Sequence, residues 1–308
     1  MSDPVLVTGG TGLAGRHVSA ALESRAVPVL RIRREAAAGW HVADLEDPAA
    51  VAALPPFSAV VHCAGLTPRR GDLSWSAFER TNVAATRTLA DEAVRRGVSR
   101  FVLVSTLGRP GRAQQTPVGR RYVASKHLAE RALRDAARGH MAAWIIRAAS
   151  MYGEGDRGSM ARLIAAIARG RFVLPGNGSQ RKCLLYAGTL GELVAAELAR
   201  PEWPAFRREC AYDLEALTLL EIVRAVDASV GRRTLKLPIP ATLARAALAA
   251  AGRTPSARIR HAALGAAIAL RDVACEGPNA VTRLPRPGVG PREGIRREVE
   301  WIGATAGR

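Results

Sequence analysis

The sequence has few of the residues that mark disulfide-rich, metal-binding or membrane-spanning proteins. It contains four cysteines without a CxxC pair or a histidine at metal-ligand spacing, namely Cys63, Cys183, Cys210 and Cys275. This wide spacing predicts a reduced, cytoplasmic protein with neither a disulfide nor a bound metal. No run of about 18 apolar residues occurs, which argues against a membrane-spanning helix. The strand-like start at Val5 predicts that the chain has no signal peptide.

Lysine is almost absent, because 42 of the 45 cationic residues are arginines. The formal net charge is +18. The arginines are scattered and form no Lys/Arg block, so basicity alone does not indicate a nucleic-acid partner and we expect none. Hydrophobic residues make up 48% and charged residues 23% of the chain, which is a globular composition. A length of 308 residues suits one α/β domain with a smaller annex.

Short apolar strands alternate with helices along the first half of the chain. Strands are predicted at 4–8, 28–32, 59–62, 100–104 and 143–147, with a short third strand closed by Asp44 and Leu45. Helices are predicted at 13–25, 78–96 and 122–138. This alternation predicts βαβ crossovers, and hence an α/β fold with a doubly wound parallel sheet over residues 1–150.

After about residue 150 the alternation ends. Helices at 190–198 and 219–230 and an irregular Pro/Gly-rich stretch at 276–294 are predicted. We expect residues 151–308 to form a smaller C-terminal substrate-binding lobe, partly interleaved with the sheet. Residues 238–271, rich in Ala, Leu and Arg, predict one or two amphipathic helices. Such helices cover a sheet edge or a dimer partner, or attach a protein to a membrane surface.

A glycine-rich turn, Thr8 to Gly15, follows the first strand and fits the pattern TGxxGxxG. Its first glycine permits a tight turn, its second lets a phosphate approach the backbone, and its third lets the helix pack against the sheet. The free N–H groups at the start of that helix favour a pyrophosphate. At the first βα junction this pattern predicts a Rossmann dinucleotide site rather than a plain turn. The predicted contacts are Gly9, Thr11, Gly12, Leu13 and Gly15.

The end of the second strand indicates which dinucleotide is bound. An acidic residue there would bind the ribose hydroxyls of NAD, whereas this strand runs into Arg33 and Arg34. Because arginine pairs with phosphate through charge-assisted hydrogen bonds, NADP is favoured and NAD is the alternative. Arg33 is the first candidate for the 2′-phosphate and Arg34 the second. Asp44 and Leu45 are expected to hold the adenine.

A YxxxK motif opens the third predicted helix, with Tyr122 and Lys126 one turn apart on one face. A phenol titrates near about 10, and a neighbouring ammonium and a cationic nicotinamide both lower that value. Tyr122 can then exchange a proton with a carbonyl or an alcohol, while Lys126 can also hold the nicotinamide ribose. Thr106, at the end of the fifth strand, can polarise the substrate oxygen.

In their order, these motifs resemble the extended short-chain dehydrogenase/reductase family, which includes nucleotide-sugar epimerases, dehydratases and reductases. The resemblance runs from about Val5 to Trp301. It rests on Thr8–Gly15, Asp44-Leu45, His62–Gly65, Thr81–Val83, Ser105-Thr106, Tyr122–Lys126 and Arg147–Gly155. It implies an NAD(P)-dependent enzyme with a catalytic triad of Thr106, Tyr122 and Lys126. Further implied cofactor contacts are Ala64, Gly65, Asn82 and Ser105.

The same resemblance implies a nucleotide-sugar substrate. Ser150 stands where the family usually has an asparagine that touches the sugar diphosphate. Arg181 and Lys182 resemble a family strand that carries a diphosphate-binding cation. Together with Thr67, these three residues are the expected substrate contacts. Two long helices on one sheet face suit a homodimer.

Three reactions share the family pattern. Dehydratases carry an Asp-Glu pair directly after the catalytic threonine, but this sequence has Leu107-Gly108 there, which disfavours dehydration. A 4-keto sugar reductase that uses NADPH fits the arginine-terminated second strand best, and a nucleotide-sugar 4-epimerase is the alternative. A non-catalytic NADP-binding scaffold or sensor is a further alternative, disfavoured because both the tyrosine and the lysine are present.

Overall fold

The computed structural model describes residues 3–68, 73–108, 116–237, 272–285 and 288–306, together with positions 243, 246 and 250. The chain folds into two compact units. The first comprises residues 1–149, 187–211 and 277–288, and the second comprises residues 150–186, 212–276 and 289–308. The helices predicted at 238–271 lie outside the described residues, apart from three single positions. Within the described ranges, no helix is long and apolar enough to cross a membrane.

Seven parallel strands form the sheet of the first unit. Numbered in chain order, they are β1 (Val5–Thr8), β2 (Val29–Arg33), β3 (His41–Val42), β4 (Ala59–His62), β5 (Arg100–Thr106), β6 (Ala142–Ala148) and β11 (Phe206–Ala211). Their spatial order is β11-β6-β5-β4-β1-β2-β3. The order reverses between β1 and β4, where Thr8 pairs with His62 at the carboxyl ends of both strands. This topology confirms the predicted doubly wound sheet, whose ligand crevice opens at such a reversal.

Helices connect these strands. They are α1 (Leu13–Glu23), α2 (Pro48–Ala52), α3 (Trp75–Phe78), α4 (Ala85–Arg95), α5 (Pro117–Ala137) and α7 (Ala187–Leu198), with a π-helical segment, Glu79–Ala84, between α3 and α4. The start of α5 is fixed locally, because Thr116 accepts a hydrogen bond from the N–H of Gly119 and Pro117 occupies the first turn. The core is continuous across sheet and helices, and Leu6, Val60, Leu89 and Phe101 are among its fully buried members.

The second unit has a core of its own, in which Tyr152, Ile164, Leu219 and Ile295 are fully buried or nearly so. Its helices are α6 (Ser159–Ala168), α8 (Leu219–Val230) and α9 (Pro291–Ala306). Its short strands are β7 (Ser150–Tyr152), β8 (Leu174–Pro175), β9 (Arg181–Lys182), β10 (Leu184–Tyr186), β12 (Leu217–Thr218) and β13 (Lys236–Leu237). They pair as β7 with β10, β9 with β12, and β8 with β13.

Several predicted elements have different bounds in the structure. The third strand is His41–Val42, so the prediction that Asp44 and Leu45 close it is wrong, and both residues follow it. The stretch 276–294 is not irregular throughout, because it contains a 3₁₀ turn, Ala280–Arg283, and the first residues of α9. By contrast, β4 and α8 coincide with their predicted ranges.

A disulfide joins Cys183 to Cys275, so the prediction that all cysteines are reduced and unpaired is wrong. The two residues are 92 positions apart in sequence, yet their Cα atoms lie 5.2 Å apart. Backbone pairing brings them together: the N–H of Val273 donates to the carbonyl of Arg181 at 3.0 Å. The N–H of Arg181 in turn donates to Asp272 Oδ1 at 2.7 Å. No motif in the spacing of the cysteines predicts this disulfide.

The core of the second unit contains a buried carboxyl group, that of Glu298 in α9. Its Oε2 accepts a hydrogen bond from the N–H of Gly153 at 3.1 Å. Its Oε1 is buried without a hydrogen-bond partner among the described residues. Burial, reinforced by the negative charge of Asp156, raises the pKa of Glu298 to about 8. The group is therefore mostly protonated at neutral pH.

We expect Glu298 to make the folded protein less stable as the pH rises from about 4.5 to about 8, because the folded carboxyl keeps its proton over this range and an unfolded one loses it. This contribution has a slope of up to about 1.4 kcal/mol of unfolding free energy per pH unit. The buried His62 acts in the opposite direction between about 3 and about 6.5, so the contribution is measured as the difference in unfolding free energy between the unchanged protein and Glu298→Gln, which keeps an acceptor for Gly153. That difference should change with pH in urea unfolding, whereas the difference for Glu300→Gln, at an exposed position of α9, should not. A difference for Glu298→Gln that is the same at every pH would contradict the assignment.

Candidate active site

The carboxyl ends of β1 and β4 are tied together by a buried hydrogen-bond network. Thr8 Oγ1 lies 2.6 Å from His62 Nδ1 and accepts a hydrogen bond from the N–H of Ala64 at 3.1 Å. His62 Nε2 lies 3.1 Å from Thr86 Oγ1. Burial, together with the charge of Lys126, lowers the pKa of His62 to about 3. His62 is therefore a neutral structural group that fixes the loop after β4.

The glycine turn packs directly against this loop. Gly9 has φ +66°, and a Cβ there would lie 2.6 Å from the backbone nitrogen of Ala64. A Cβ on Gly15 would collide with the carbonyl oxygen of Gly9. Gly12 precedes α1, and in the described chain no side chain caps that helix. The first N–H groups of α1 are thus available to an anion, as the predicted pyrophosphate site at Gly9 to Gly15 requires.

Arg33 and Arg34, at the end of β2, have different surroundings. Arg34 is held by two carboxylates, with its Nε 3.3 Å from Asp44 Oδ1 and its Nη2 3.0 Å from Glu46 Oε1. Within the described residues, Arg33 approaches a carboxylate only at 3.4 Å, that of the exposed Glu35. These contacts favour Arg33 over Arg34 as the ligand of an added phosphate. They also show that Asp44 already has a cationic partner.

Trp40 belongs to this region, although no sequence motif indicates it. A Cβ on Gly10 would lie 2.9 Å from the ring atoms Cζ3 and Cη2 of Trp40. The guanidinium carbons of Arg31 and Arg33 lie 6.0 and 5.9 Å from its ring centroid. Leu45, predicted to hold the adenine, is only 9% exposed and packs in the core. Trp40 is therefore an apolar surface beside Arg33, and the adenine contacts of Asp44 and Leu45 stay predictions.

Lys126 lies buried beside the loop after β4. Its Nζ donates to the carbonyl of Val104 at 2.7 Å. A Cβ on Gly65 would lie 3.0 Å from Asn82 Oδ1 and 3.7 Å from Lys126 Nζ. Asn82 itself is fixed, because its Oδ1 accepts from the N–H of Leu66 at 2.7 Å. Because Gly65 has no side chain, its backbone lies close to the amide of Asn82 and the ammonium of Lys126, and both of these groups are predicted to contact the cofactor.

The electrostatics of this buried lysine are unusual. Burial lowers the pKa of Lys126 from 10.5 to about 8, although Cys63 and Glu130 act in the opposite direction. The side chain is still mostly cationic at pH 7. Burial raises the pKa of the neighbouring Cys63 thiol to about 12, so that thiol stays protonated and acts as a small apolar group. A poorly solvated cation of this kind interacts strongly with a nearby phenolate or hydroxyl.

Thr106 stands at the end of its strand, as predicted, but the prediction that Tyr122 opens its helix is wrong, because α5 begins five residues earlier at Pro117. Tyr122 is half-buried in α5, one turn before Lys126, and its ring centroid lies 6.3 Å from that of Phe78. Thr106 is the last residue of β5, and its hydroxyl accepts from the N–H of Gly108 at 3.2 Å. One element therefore supplies a phenol and an ammonium, and the neighbouring strand end supplies a hydroxyl.

Ser105, predicted to contact the cofactor, takes part in a buried network. Its Oγ donates to Glu130 Oε1 at 2.6 Å. Glu130 also receives the guanidinium of Arg147, with Nη2 2.6 Å from Oε2. This network links α5 to β5 and β6, and so fixes the position of the helix that carries Tyr122 and Lys126. The structure gives Ser105 a positioning role, and its direct cofactor contact stays a prediction.

The four predicted substrate contacts are divided between the two units. Thr67 is exposed on the loop after β4 in the first unit. Ser150 and Arg181 are exposed in β7 and β9 of the second unit. Lys182 is only 7% exposed. Because Thr67, Ser150 and Arg181 are accessible, they are favoured over Lys182 as substrate ligands. All four roles stay predictions. Over the described ranges, no cluster of three or more His, Cys, Asp or Glu side chains is arranged to hold a metal ion.

Comparison with known proteins identifies a matching family and several similar proteins. The model of the NAD-dependent epimerase/dehydratase family matches residues 5–204. The ceramide reductase of Caulobacter vibrioides is 30% identical over 261 residues, which cover 79% of this chain and 76% of that protein. The N-acetyl-α-D-glucosaminyl-diphospho-ditrans,octacis-undecaprenol 4-epimerase of Escherichia coli O157:H7 is 26% identical over 261 residues, covering 78% of this chain and 77% of the relative.

A solved structure shares the fold over almost the whole chain. MoeE5, solved in complex with UDP-glucose and NAD, superposes with a TM-score of 0.71 at 24% identity. The match covers 98% of this chain and 99% of MoeE5. At this identity the likeness establishes the fold.

Proposed function

The chain belongs to the NAD-dependent epimerase/dehydratase family and is an enzyme, and from that premise we propose that it reduces the 4-keto group of a nucleotide sugar with NADPH. The observation that carries the proposal is the buried ammonium of Lys126, next to Gly65 and one turn after Tyr122. A proton donor and a fixed cation beside a dinucleotide-binding turn are what hydride chemistry at a carbonyl needs.

In the proposed reaction, bound NADPH supplies a hydride to the carbonyl carbon. Tyr122 gives its proton to the carbonyl oxygen, so the ketone becomes a secondary alcohol. Thr106 donates a hydrogen bond to that oxygen and orients it. Lys126 holds the nicotinamide ribose and stabilises the phenolate that Tyr122 becomes. The largest contribution of the site is to hold the ketone and the hydride donor in a reactive geometry.

We base the preference for NADP on Arg33. Arg33 lies beside the ring of Trp40, and the weak contact with the exposed Glu35 leaves its guanidinium available to a 2′-phosphate. The first residues of α1 would hold the pyrophosphate, and Trp40 would support the adenosine. The family description names NAD, so NAD is the alternative cofactor.

Arg33→Gln should weaken NADP binding by about tenfold to a hundredfold, because it removes a charge-assisted hydrogen bond to phosphate. NAD binding should change by less than about twofold, since NAD lacks that phosphate. Arg34→Gln is the matched comparison and should have a smaller effect, because Asp44 and Glu46 already engage Arg34. Titration calorimetry with both dinucleotides measures this. An equal loss of affinity for NAD and NADP would show that Arg33 does not bind the 2′-phosphate.

A 4-epimerase is the second candidate function. The Escherichia coli relative is named a 4-epimerase, whereas the Caulobacter relative is named a reductase. Both reactions would use the same phenol and ammonium. A reductase delivers one hydride to a ketone and releases the alcohol, whereas an epimerase first takes a hydride from the C4 carbon of the sugar alcohol and then returns it to the opposite face of the resulting ketone. Leu107-Gly108 after Thr106 continues to disfavour dehydration.

The test has two arms. In the first, the purified protein is incubated with NADPH and either a 4-keto nucleotide sugar or a keto lipid, the latter because one relative is named a ceramide reductase. In the second, it is incubated with the oxidised dinucleotide and either a nucleotide sugar or an undecaprenol-linked sugar, the latter because another relative is named a 4-epimerase of such a compound. Net loss of the absorbance of reduced nicotinamide with a 4-keto nucleotide sugar is the expected result. Inversion of the sugar in the second arm, without net change in the dinucleotide, would favour the epimerase. NADPH oxidation with the keto lipid alone would overturn the proposed substrate class.

Two further statements stay predictions from the sequence. We propose that the second unit, with Ser150 and Arg181, binds the nucleotide diphosphate of the substrate, and that the protein is a homodimer. The prediction of a cytoplasmic location rests on reduced, unpaired cysteines, and the Cys183–Cys275 disulfide removes that argument.

A further inference from the structure

A basic groove lies at the C-terminal end of α8 in the second unit. It has a volume of about 650 Å³, and its lining runs from Leu220 in α8 to Lys236 in β13. Four of the lining residues are cationic, namely Arg224, Arg232, Arg233 and Lys236. All four are exposed. We call these four residues, with the neighbouring Leu235, the basic face.

The charge of the basic face is not neutralised nearby. Asp227 is the one acidic residue that lines the groove among those described. Its carboxylate accepts from Thr234, with Oδ2 2.9 Å from the backbone nitrogen and Oδ1 2.7 Å from Oγ1. In the described part of the chain, none of the four cations lies within ion-pair distance of a carboxylate, in contrast to many other arginines of the protein. The groove therefore presents cations that an external anion can reach.

Exposed aliphatic side chains accompany these cations. Leu235 is 67% exposed and Val173 is 42% exposed. They are neighbours, because the N–H of Leu174 donates to the carbonyl of Leu235 at 3.0 Å. Val230, at the end of α8, is also exposed. Aliphatic side chains beside arginine and lysine are typical of surfaces that contact a lipid headgroup layer.

The sequence around the basic face continues the same charge pattern. From Gly231 to Arg271 it contains eight Arg or Lys residues and no Asp or Glu. The rest of the chain holds all 27 acidic residues. Three of these eight cations, Arg232, Arg233 and Lys236, belong to the basic face itself, and a local excess of cations is attracted to an anionic surface over about a Debye length.

We propose that the basic face docks on an anionic lipid surface. The cations would pair with lipid phosphates, and Leu235 and Val173 would enter the headgroup region. A nucleic acid would also satisfy the cations, but the groove lining contains no aromatic side chain on which bases could stack. The inference goes beyond the proposed function and does not depend on it.

The experiment is flotation of the full chain with phosphatidylcholine vesicles, prepared with and without phosphatidylglycerol. The protein should float only with the phosphatidylglycerol vesicles, and added salt should release it. Arg232→Gln combined with Arg233→Gln should lower the partition coefficient by about thirtyfold, since each cation near such a surface contributes about fivefold. Leu235→Ser should lower it by about tenfold.

Arg131→Gln combined with Arg138→Gln is the matched control. It removes the same charge from exposed positions at α5 and just after it, and should change vesicle binding by less than about twofold. Thermal unfolding checks that every variant is folded. Equal losses in both double variants would mean that net charge alone acts, and would overturn the proposal. Absence of flotation would overturn it too, as would binding to an oligonucleotide that Arg232→Gln/Arg233→Gln abolishes and Leu235→Ser does not affect.

Discussion

Replacing Tyr122 by phenylalanine is expected to lower turnover by about 10²- to 10⁴-fold, the range that a general acid contributes. The hydroxyl is the only group removed, so the ring keeps its packing next to Phe78, 6.3 Å between centroids. NADPH affinity should stay within about twofold of the unchanged protein, because the dinucleotide contacts assigned above lie on other residues. Steady-state kinetics with the ketone that is active in the test above, and fluorescence titration with NADPH, measure the two quantities.

Lys126→Met tests the second functional side chain of α5. This change removes the buried ammonium, which serves both the phenol and the ribose in the proposed mechanism. We expect it to weaken NADPH binding and turnover together. Loss of NADPH binding in Tyr122→Phe as well would contradict the assignment of Tyr122 as the proton donor, and would make it a binding or structural residue.

Gly9→Ala is expected to weaken NADPH binding by about a hundredfold or more, because the turn that holds the pyrophosphate cannot keep its shape. The new Cβ would lie 2.6 Å from the nitrogen and 2.8 Å from the Cα of Ala64. These are backbone atoms, so the clash is relieved only if the loop after β4 moves. That loop carries Gly65, and its movement would disturb the space beside Lys126 as well.

Gly97→Ala is the matched control for this change. Gly97 has φ +70°, close to the +66° of Gly9, but a Cβ there would meet nothing within 4 Å. Gly97→Ala should lose about 1–2 kcal/mol of stability from the left-handed backbone alone, and Gly9→Ala should lose more, because its Cβ also clashes with the backbone of Ala64. Only Gly9→Ala should lose NADPH affinity, measured by titration at a temperature where both variants are folded. Normal NADPH affinity in Gly9→Ala, or an equal loss of affinity in Gly97→Ala, would contradict the assignment of the turn at Gly9 as the pyrophosphate site.

The parts of the fold that local chemistry dictates could be predicted from the sequence. The apolar β4 and the turn at Gly9 carry their information in adjacent residues. The same holds for α8, where Thr218 and Glu221 form a capping box and Gly231 ends the helix in the left-handed conformation. The same holds for the placement of Tyr122 and Lys126 one turn apart in α5, since their spacing is itself the signal, while their catalytic roles stay predictions.

Other features depend on contacts that the sequence does not record locally. Strand β11 reads Phe-Arg-Arg-Glu-Cys-Ala and lacks an apolar run, because it is an edge strand in which Arg207 and Glu209 form ion pairs. The disulfide of Cys183 depends on backbone pairing with a segment 92 residues away. Trp40 acquires its position over Gly10 only when β2 and the glycine turn come together. Neither the spacing of motifs nor the composition of the chain predicts which distant segments come into contact.

A crystal structure of the protein with NADPH tests the central claim most directly, and it requires no knowledge of the substrate. The account predicts that Lys126 Nζ lies about 3 Å from a hydroxyl of the nicotinamide ribose, and that the Tyr122 hydroxyl faces the nicotinamide ring. A nicotinamide ring that lies away from Tyr122, or a ribose that makes no contact with Lys126, would contradict it.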